Sequence, residues 1–306
     1  MTTLTRRNLL GAAAALPLIA SARPVLAKAE MKGAAVAPYN RIMLGGFEVT
    51  TLLAGTRTVP DLQTIFGLNA SAEDFAAAAA AAMIPADKAQ FFFTPTLVNT
   101  GNEVVLFDTG LSGAGTTAAL TAAGYTADQV DIVVITHMHG DHIGGLMTDG
   151  KPTFANARYV TGAAEFNHWS GQTNENFDKI VRPMADKFMM VDGGASPVSG
   201  MTATPAFGHT PGHMAWRVES NGQSLIIGAD FANHYVFSLQ NPDWEVRFDA
   251  DKAAAAATRR NLLSMIADER IPFIGYHMPF PALGFVEAKD GAFRYVPASY
   301  QFMMQG

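Results

Sequence analysis

Three histidines and one aspartate lie within six consecutive positions of the sequence, in the stretch THMHGDH: His137, His139, Asp141 and His142. The chain of 306 residues contains only 8 histidines and no cysteine, so imidazole and carboxylate are the ligands it can offer a borderline divalent metal ion. Alternate side chains of an extended loop point the same way, so His137 and His139 can share one ion. Asp141 and His142, one step further, can turn towards a second ion.

Residues of the same chemical types end or follow three predicted strands later in the chain. His209 follows TATPAF, Asp230 ends SLIIGAD, and His277 ends IPFIGYH. The ends of parallel strands meet at one edge of a sheet, where binding sites are commonly built. Seven ligand-type side chains at one edge predict a centre for two metal ions, with Asp230 as the candidate carboxylate that bridges them.

Such a centre would perform hydrolysis. Two ions roughly 3.5–4 Å apart can hold a bridging hydroxide and polarise the attacked oxygen of a substrate. Asp141 and Asp230 are both candidates for moving the proton, and the residue types do not distinguish between them. Zinc is the expected metal of an imidazole-rich site, and iron, manganese and cobalt are compatible with the same ligands.

The pattern of predicted elements places the ligand residues beyond strand ends in an α/β domain. QVDIVVIT, at 129–136, is an almost continuous apolar run, as expected of a strand buried on both faces. The other predicted strands are 48–56, 91–101, 103–108, 157–162, 202–207, 214–220, 223–230 and 271–277. The predicted helices are 71–83 with Ser71 as N-cap, 116–124, 163–169, 174–189, and 249–269 with Asp249 as N-cap. No linker interrupts this alternation, which favours one domain with sheets inside and helices outside.

The first 29 residues have the pattern of a twin-arginine export signal. Arg6 and Arg7 precede an apolar run that is too short to span a bilayer, and small residues follow at the spacing of a cleavage site. We therefore expect cleavage after Ala29, a mature domain at 30–306, and a periplasmic or secreted protein. The net charge of −6 argues against nucleic acid as a partner, and no later segment resembles a membrane span.

The motifs HMHGDH, GHTPGH, GAD and the late YH resemble those of the metallo-β-lactamase superfamily. This resemblance implies an αβ/βα four-layer sandwich, with two mixed β-sheets inside, helices on the outer faces and the metals at the sheet edge. It also implies one ion on His137, His139 and His209, a second on Asp141, His142 and His277, and Asp230 bridging both. Asp108, in LFDTG, matches a family aspartate that lies behind the ligands and supports their loop.

Longer stretches resemble methyl parathion hydrolase and related lactonases of this superfamily: GYTADQVDIVVITHMHGDHIGGLM, GHTPGHMAWRVESNGQSLIIGAD and YHMPFPALGFV. The resemblance implies a homodimer that hydrolyses small-molecule lactones or esters, with phosphotriesters such as methyl parathion as a side activity. Trp169 resembles an aromatic residue of that family's substrate pocket, and Phe177 is a candidate beside it, although a position in the helix core is the alternative for both and is preferred for Phe177. His234 closely follows Asp230 and is a further candidate for lining the cleft. Gly115 stands where the phosphotriesterase has an aromatic residue, which predicts a less aromatic pocket.

Other functions remain open at this point. A β-lactamase of the superfamily would lack a bridging carboxylate at Asp230. A glyoxalase-type thioesterase would need a basic patch near its C-terminus, and the last thirty residues are poor in lysine and arginine. A non-catalytic metal-binding domain commonly loses ligands, whereas all seven are present here. A hydrolase with two metal ions is therefore the preferred hypothesis.

Overall fold

Two mixed β-sheets form the centre of the structure, a computed structural model that describes residues 30–304. The predicted export signal at 1–29 lies outside the described residues. The first strands are β1 (Tyr39–Leu44), β2 (Phe47–Leu52), β3 (Gly55–Pro60), β4 (Lys88–Phe93), β5 (Thr96–Asn99), β6 (Val104–Phe107), β7 (Ile132–Ile135), β8 (Met147–Thr148) and β9 (Lys151–Pro152). The later strands are β10 (Arg158–Gly162), β11 (Phe188–Val191), β12 (Met201–Pro205), β13 (Met214–Ser220), β14 (Gln223–Ala229), β15 (Phe273–Gly275), β16 (Leu283–Lys289) and β17 (Ala292–Pro297).

The strand order brings the predicted ligand segments together. One sheet has seven strands in the order β1-β2-β5-β6-β7-β10-β11, and the other has six in the order β12 to β17. Strand β7 lies parallel to both β6 and β10, and in the second sheet β14 lies parallel to β15. Parallel neighbours end at the same edge, so the residues after β6 and β7 meet there, as do those after β14 and β15. The pairs β3–β4 and β8–β9 form two small separate sheets.

Within residues 30–304 the α-helices are α1 (Ala72–Ala81), α2 (Gly113–Ala122), α3 (Gly140–Ile143), α4 (Ala163–Ser170) and α5 (Lys252–Glu269). Helices α2 and α4 cover the first sheet, whereas α1 packs in a separate apolar cluster and α3 lies beyond the end of β7. Alternate residues of β7 face opposite sides: Val134 joins the core between the sheets, whereas Val133 packs in the core that contains Leu120 of α2 and Phe166 of α4. On the other side, α5 packs against the second sheet. The predicted αβ/βα sandwich and the strand buried on both faces are thus confirmed.

Several predicted elements differ from the observed ones. The run at 91–101 is divided between β4 and β5, because Pro95 has no amide hydrogen to continue a ladder. The helix predicted at 174–189 is a π-helical turn, a 3₁₀ segment with Pro183 in its first turn, and then β11. Ser71 caps α1 as predicted, but α5 is capped by Asp251 and not by Asp249. Among the described helices, none combines the length and hydropathy of a bilayer-spanning segment.

Candidate metal centre

The loop after β7 supplies four of the seven predicted ligand residues. His137 follows the strand in the loop, His139 is the extended N-cap residue of α3, and Asp141 and His142 lie inside α3. The loop packs closely on the segment after β6, since a side chain at Gly145 would lie 2.0 Å from the carbonyl oxygen of Thr109. Glycine is needed at Gly145 for this close approach.

Three imidazoles converge on one point beside this loop. Nε2 of His137 lies 3.2 Å from Nδ1 of His139, and Nε2 of His209 lies 3.0 Å from the same Nδ1 atom. Nitrogen ligands about 2.0–2.1 Å from a tetrahedral ion lie roughly 3.3–3.4 Å from one another. The group therefore has the dimensions of a three-histidine metal site.

A second group of donors lies next to the first. Oδ2 of Asp141 is 3.7 Å from Nε2 of His142 and 3.3 Å from Nε2 of His277. Asp230 lies between the two groups: its Oδ1 is 3.4 Å from Nε2 of His142, and its Oδ2 is 3.5 Å from Nε2 of His209. The structure thus brings all seven residues together, with Asp230 in the position of a bridging carboxylate.

The outer nitrogens of three of these histidines are held by oxygen acceptors. Nδ1 of His142 lies 2.8 Å from a carboxylate oxygen of Asp108, and Nδ1 of His209 lies 2.8 Å from one of Asp249. Nδ1 of His277 lies 2.8 Å from the carbonyl oxygen of Phe92. Each Nδ1 therefore carries a proton, and Nε2 is the nitrogen of each ring that faces inward and would offer its lone pair to an ion. Asp108 also accepts a 2.9 Å hydrogen bond from the backbone of Thr136, so it supports the loop as predicted.

Two buried atoms at the centre have no hydrogen-bond partner within residues 30–304, namely Nε2 of His142 and Oδ1 of Asp230. An unpartnered buried polar atom is costly, and one cation next to both atoms would satisfy them. The inward lone pairs, the spacing and these orphaned atoms all fit a pair of divalent ions.

Burial and neighbouring charges shift the pKa values of the side chains at the centre in different directions. Burial lowers the pKa of His137 well below its usual value and lowers that of His139 to about 3. Burial also disfavours charge on His277, but Asp230 and Asp141 raise its pKa to about 10. Burial alone would raise the pKa of Asp230, yet the neighbouring His277 and His142 hold it well below its usual value. Buried carboxylates that attract protons onto imidazole are the environment in which divalent cations displace those protons.

A fully buried carboxylate, Glu165 of α4, connects the two histidine loops. Its Oε1 accepts hydrogen bonds from the backbone N–H of Met138 at 2.9 Å and from Nε1 of Trp169 at 2.6 Å. Its Oε2 accepts from Oγ1 of Thr210 at 2.6 Å and from the backbone N–H of Gly212 at 3.0 Å. The bonds from Met138, Thr210 and Gly212 fix the loops that carry His137, His139 and His209, whereas the bond from Trp169 lies within α4.

The strand that delivers Asp230 is irregular at its end. The register of β14 against β15 shifts between Ile227 and Ala229, and Ala229 has a φ of 49°, which residues with side chains rarely adopt. The backbone N–H of Asp230 donates a 3.1 Å hydrogen bond to Nε2 of His213. Bulges of this kind redirect side chains, and here Asp230 faces both groups of ligands.

A cavity of about 670 Å³ opens onto the centre and is lined by Asp141, Asp230 and His277. Aromatic side chains form part of its walls, namely Phe91, Phe93 and Phe248. The rings of Phe91 and Phe93 lie 5.4 Å and 5.5 Å from that of His277. These aromatic rings come from elements other than the loop around Gly115, and the expectation that the pocket is less aromatic than that of the phosphotriesterase stays a prediction.

Of the three predicted pocket residues, only Trp169 lies beside the centre, with its ring 6.0 Å from that of His139. The prediction for Phe177 is wrong, because its side chain is fully buried in the core beneath the first sheet. The prediction for His234 is also wrong. Its ring is buried 5.4 Å from that of Phe66 and 4.5 Å from that of Phe237, and burial lowers its pKa to about 3.

The family model that matches the chain is described as the Metallo-beta-lactamase superfamily, over residues 94–272. An uncharacterized protein YobT of Bacillus subtilis (strain 168) is 29% identical over 144 residues, which are 44% of this chain and 60% of that protein. An N-acyl homoserine lactonase from Bacillus sp is 23% identical over 157 residues, which are 51% of this chain and 60% of that protein. The match thus spans 60% of the length of these curated relatives.

Two solved structures share the fold. AidC, described as a dizinc quorum-quenching lactonase in complex with a product, has a TM-score of 0.80 at 24% identity, over 86% of this chain and 98% of that chain. The hydrolase AbOPH, described as in the beta lactamase superfamily, has a TM-score of 0.80 at 23% identity, over 88% of this chain and 100% of that chain. At these identities the likeness shows the fold.

Proposed function

Because the chain belongs to the metallo-β-lactamase superfamily, we propose that it is a hydrolase that holds two divalent metal ions and cleaves lactones or carboxylic esters. The observation that supports this most directly is the position of Asp230. One of its oxygens lies 3.4 Å from Nε2 of His142, and the other lies 3.5 Å from Nε2 of His209. Relatives described as N-acyl homoserine lactonases support the substrate class.

The two ions are assigned to the two groups of donors. His137, His139 and His209 would hold one ion, Asp141, His142 and His277 would hold the other, and Asp230 lies where it would serve both. Asp108 and Asp249 orient two of the imidazoles from outside. Zinc is the proposed metal, because imidazole and carboxylate suit it and a relative of the same fold is described as dizinc.

When bound, the ions would supply a water of lowered pKa and polarise the substrate carbonyl. The residues of the chain orient the metal-binding atoms and provide a route for the proton. Asp108 and the Phe92 carbonyl hold a proton on Nδ1 of His142 and of His277, so Nε2 is the nitrogen that each ring would offer to an ion. Asp230 is almost completely buried and stays fixed between the groups, whereas the Asp141 side chain is 22% exposed. We therefore assign the transfer of the proton towards solvent to Asp141.

A substrate panel on protein of defined metal content tests the proposal. The panel consists of N-acyl homoserine lactones, aryl esters, the phosphotriester methyl parathion and the β-lactam nitrocefin, each assayed before and after chelation. We expect ester or lactone hydrolysis that chelation abolishes and zinc restores, and near-complete loss of turnover in His142→Ala. Full activity in metal-free protein would overturn the mechanism. Nitrocefin turnover above that of lactones and esters would favour the β-lactamase alternative.

Export is a separate part of the proposal. The twin-arginine pattern at Arg6 and Arg7 supports a periplasmic or secreted location. Cell fractionation of the full chain and of a variant with Arg6→Lys and Arg7→Lys provides the test. We expect the protein to move from the periplasmic to the cytoplasmic fraction in the variant, and an unchanged distribution would contradict the proposal.

A further inference from the structure

We propose that Arg57 and Arg247, at the rim of the cavity beside the metal centre, bind a negatively charged group of the substrate. The inference rests on the proposed function and narrows its substrate class. The substrate would be an ester or lactone whose apolar body carries a carboxylate or similar anion away from the bond that is cleaved.

Arg57 reaches the cavity from the hairpin of β3 and β4. It lies directly opposite Phe91 in the register of this pair. Directly opposed residues of an antiparallel pair project from the same face, and both side chains line the cavity. The ring of Phe91 in turn lies 5.4 Å from that of His277. Phe91 is therefore the neighbour both of Arg57, across the hairpin, and of His277 in the metal centre.

Arg247 reaches the same cavity from a different segment of the chain. Its backbone N–H donates a 2.8 Å hydrogen bond to the carbonyl of Ile65, which also lines the cavity. The guanidinium carbon lies 4.9 Å from the ring centre of Phe248, so the side chain is supported by a cation–π contact. Two residues further on, Asp249 holds His209, so the segment with Arg247 is anchored to the metal centre.

Neither arginine has a carboxylate partner in the part of the chain that the structure describes, although both are exposed. Five other surface arginines do form ion pairs: Arg158, Arg182, Arg217, Arg260 and Arg294. The carboxylates that line the cavity, Asp141 and Asp230, face the histidines and would be neutralised by the ions. The cavity is therefore cationic in a chain whose net charge is −6.

The chemistry of the rim and the walls defines the ligand. A guanidinium presents a planar set of donors that matches a carboxylate, and a cationic rim raises the rate at which anions enter a cleft. The same cavity is also lined by apolar side chains, including Val59, Leu111 and Ile180. A short hydrocarbon chain with an anion at one end and the ester at the other satisfies both regions.

A matched pair of substrates tests the inference with the metal-loaded protein. One is the 4-nitrophenyl ester of adipic acid with its second carboxylate free, and the other has that carboxylate blocked as a methyl ester. We expect kcat/KM for the free acid to exceed that for the blocked ester by about tenfold at low salt, and the preference to fall as salt rises. Arg57→Gln and Arg247→Gln should each reduce the preference through KM, and the double variant should abolish it.

Arg294→Gln, which removes a charge from the distant hairpin of β16 and β17, is the matched control and should keep the preference. Equal kcat/KM for both esters in the native protein, with turnover intact, would overturn this inference and leave the proposed function standing. If neither ester nor any lactone is hydrolysed, the proposed function fails. Calorimetric binding of monomethyl adipate then still tests the rim, since an affinity unchanged in the double variant would overturn it.

Discussion

Oδ1 of Asp249 lies 2.8 Å from Nδ1 of His209, and its other oxygen lies 2.9 Å from Nη2 of Arg259. All three side chains are buried. Asp249 therefore holds one imidazole of the metal centre in a single tautomer, while Arg259 balances the charge of the carboxylate. A residue that does not face the centre thus controls the direction of a ligand lone pair.

We expect Asp249→Asn to lower the affinity for metal by about 10–100-fold, because a carboxamide accepts the proton of His209 less well and can turn its own N–H group towards the ring. The measurement is a competition titration against a chromophoric chelator. Asp243→Asn is the matched control, since Asp243 is exposed and pairs with Arg260 on the surface. The same loss of affinity in both variants would contradict the role assigned to Asp249.

The different positions of Asp249 and Asp251 show where a local pattern is insufficient. Both precede the same alanine-rich helix, so either fits the N-cap preference. Asp251 is the cap, with its side chain 3.0 Å from the backbone nitrogen of Ala254. The side chain of Asp249 is instead hydrogen-bonded to His209, 40 positions earlier in the chain. Capping preferences describe only neighbouring residues, so they do not predict this contact. The hydroxyl of Ser71 bonds instead to the nearby Asp74 at the start of α1, and the predicted cap is confirmed.

A second prediction concerns Glu165, whose oxygens accept four hydrogen bonds. In Glu165→Gln the new amide group must face donors, and the backbone N–H of Gly212 or Met138 loses its acceptor. We expect a loss of about 1–3 kcal/mol in the free energy of unfolding, measured by urea denaturation without metal. Metal affinity should fall as well, because the bonds join the loops that hold His137 and His209.

Glu175→Gln is the control for this change, since Glu175 is an exposed glutamate on the surface. Its substitution should alter the free energy of unfolding by no more than about 0.5 kcal/mol. A Glu165→Gln protein that unfolds like the native chain and binds metal equally well would show that these hydrogen bonds are dispensable.

The ligand residues could be predicted because the sequence indicates where the apolar strands end. The residues that line the cavity could not be predicted in this way. Asp230 and His277 terminate apolar runs, and parallel pairing places such ends at one edge. The rim depends instead on the β3–β4 hairpin folding over the sheet edge, which brings Arg57 close to residues far along the chain. No periodicity within the hairpin encodes that position.

A third prediction separates the role of Phe177 in the core from that of the half-buried Trp169 beside the metal centre. Phe177 is completely buried and its ring lies 5.6 Å from that of Phe166. Phe177→Ala should therefore cost about 3–5 kcal/mol of unfolding free energy. Trp169→Phe keeps an aromatic ring beside His139 and loses the bond to Glu165, so we expect a cost of roughly 1 kcal/mol. Thermal and urea unfolding compare the two, and equal costs would contradict the assignment.

The last prediction is that metal binding stabilises the fold. The donors converge only in the folded chain, so an ion binds the folded state in preference to the unfolded one. At a free zinc concentration 100 times the dissociation constant, the free energy of unfolding should rise by about 2.7 kcal/mol for each site. Differential scanning calorimetry of chelated and zinc-loaded protein measures the effect.

His142→Ala sharpens this test, because it removes Nε2 from the second group and leaves the first group of three histidines intact. The variant should retain part of the zinc-dependent stabilisation and bind fewer equivalents of zinc by mass spectrometry. His168→Ala, at an exposed histidine outside the centre, should behave like the native chain. A stabilisation by zinc that His142→Ala leaves unchanged would mean that the ion binds elsewhere and that His142 is not a ligand.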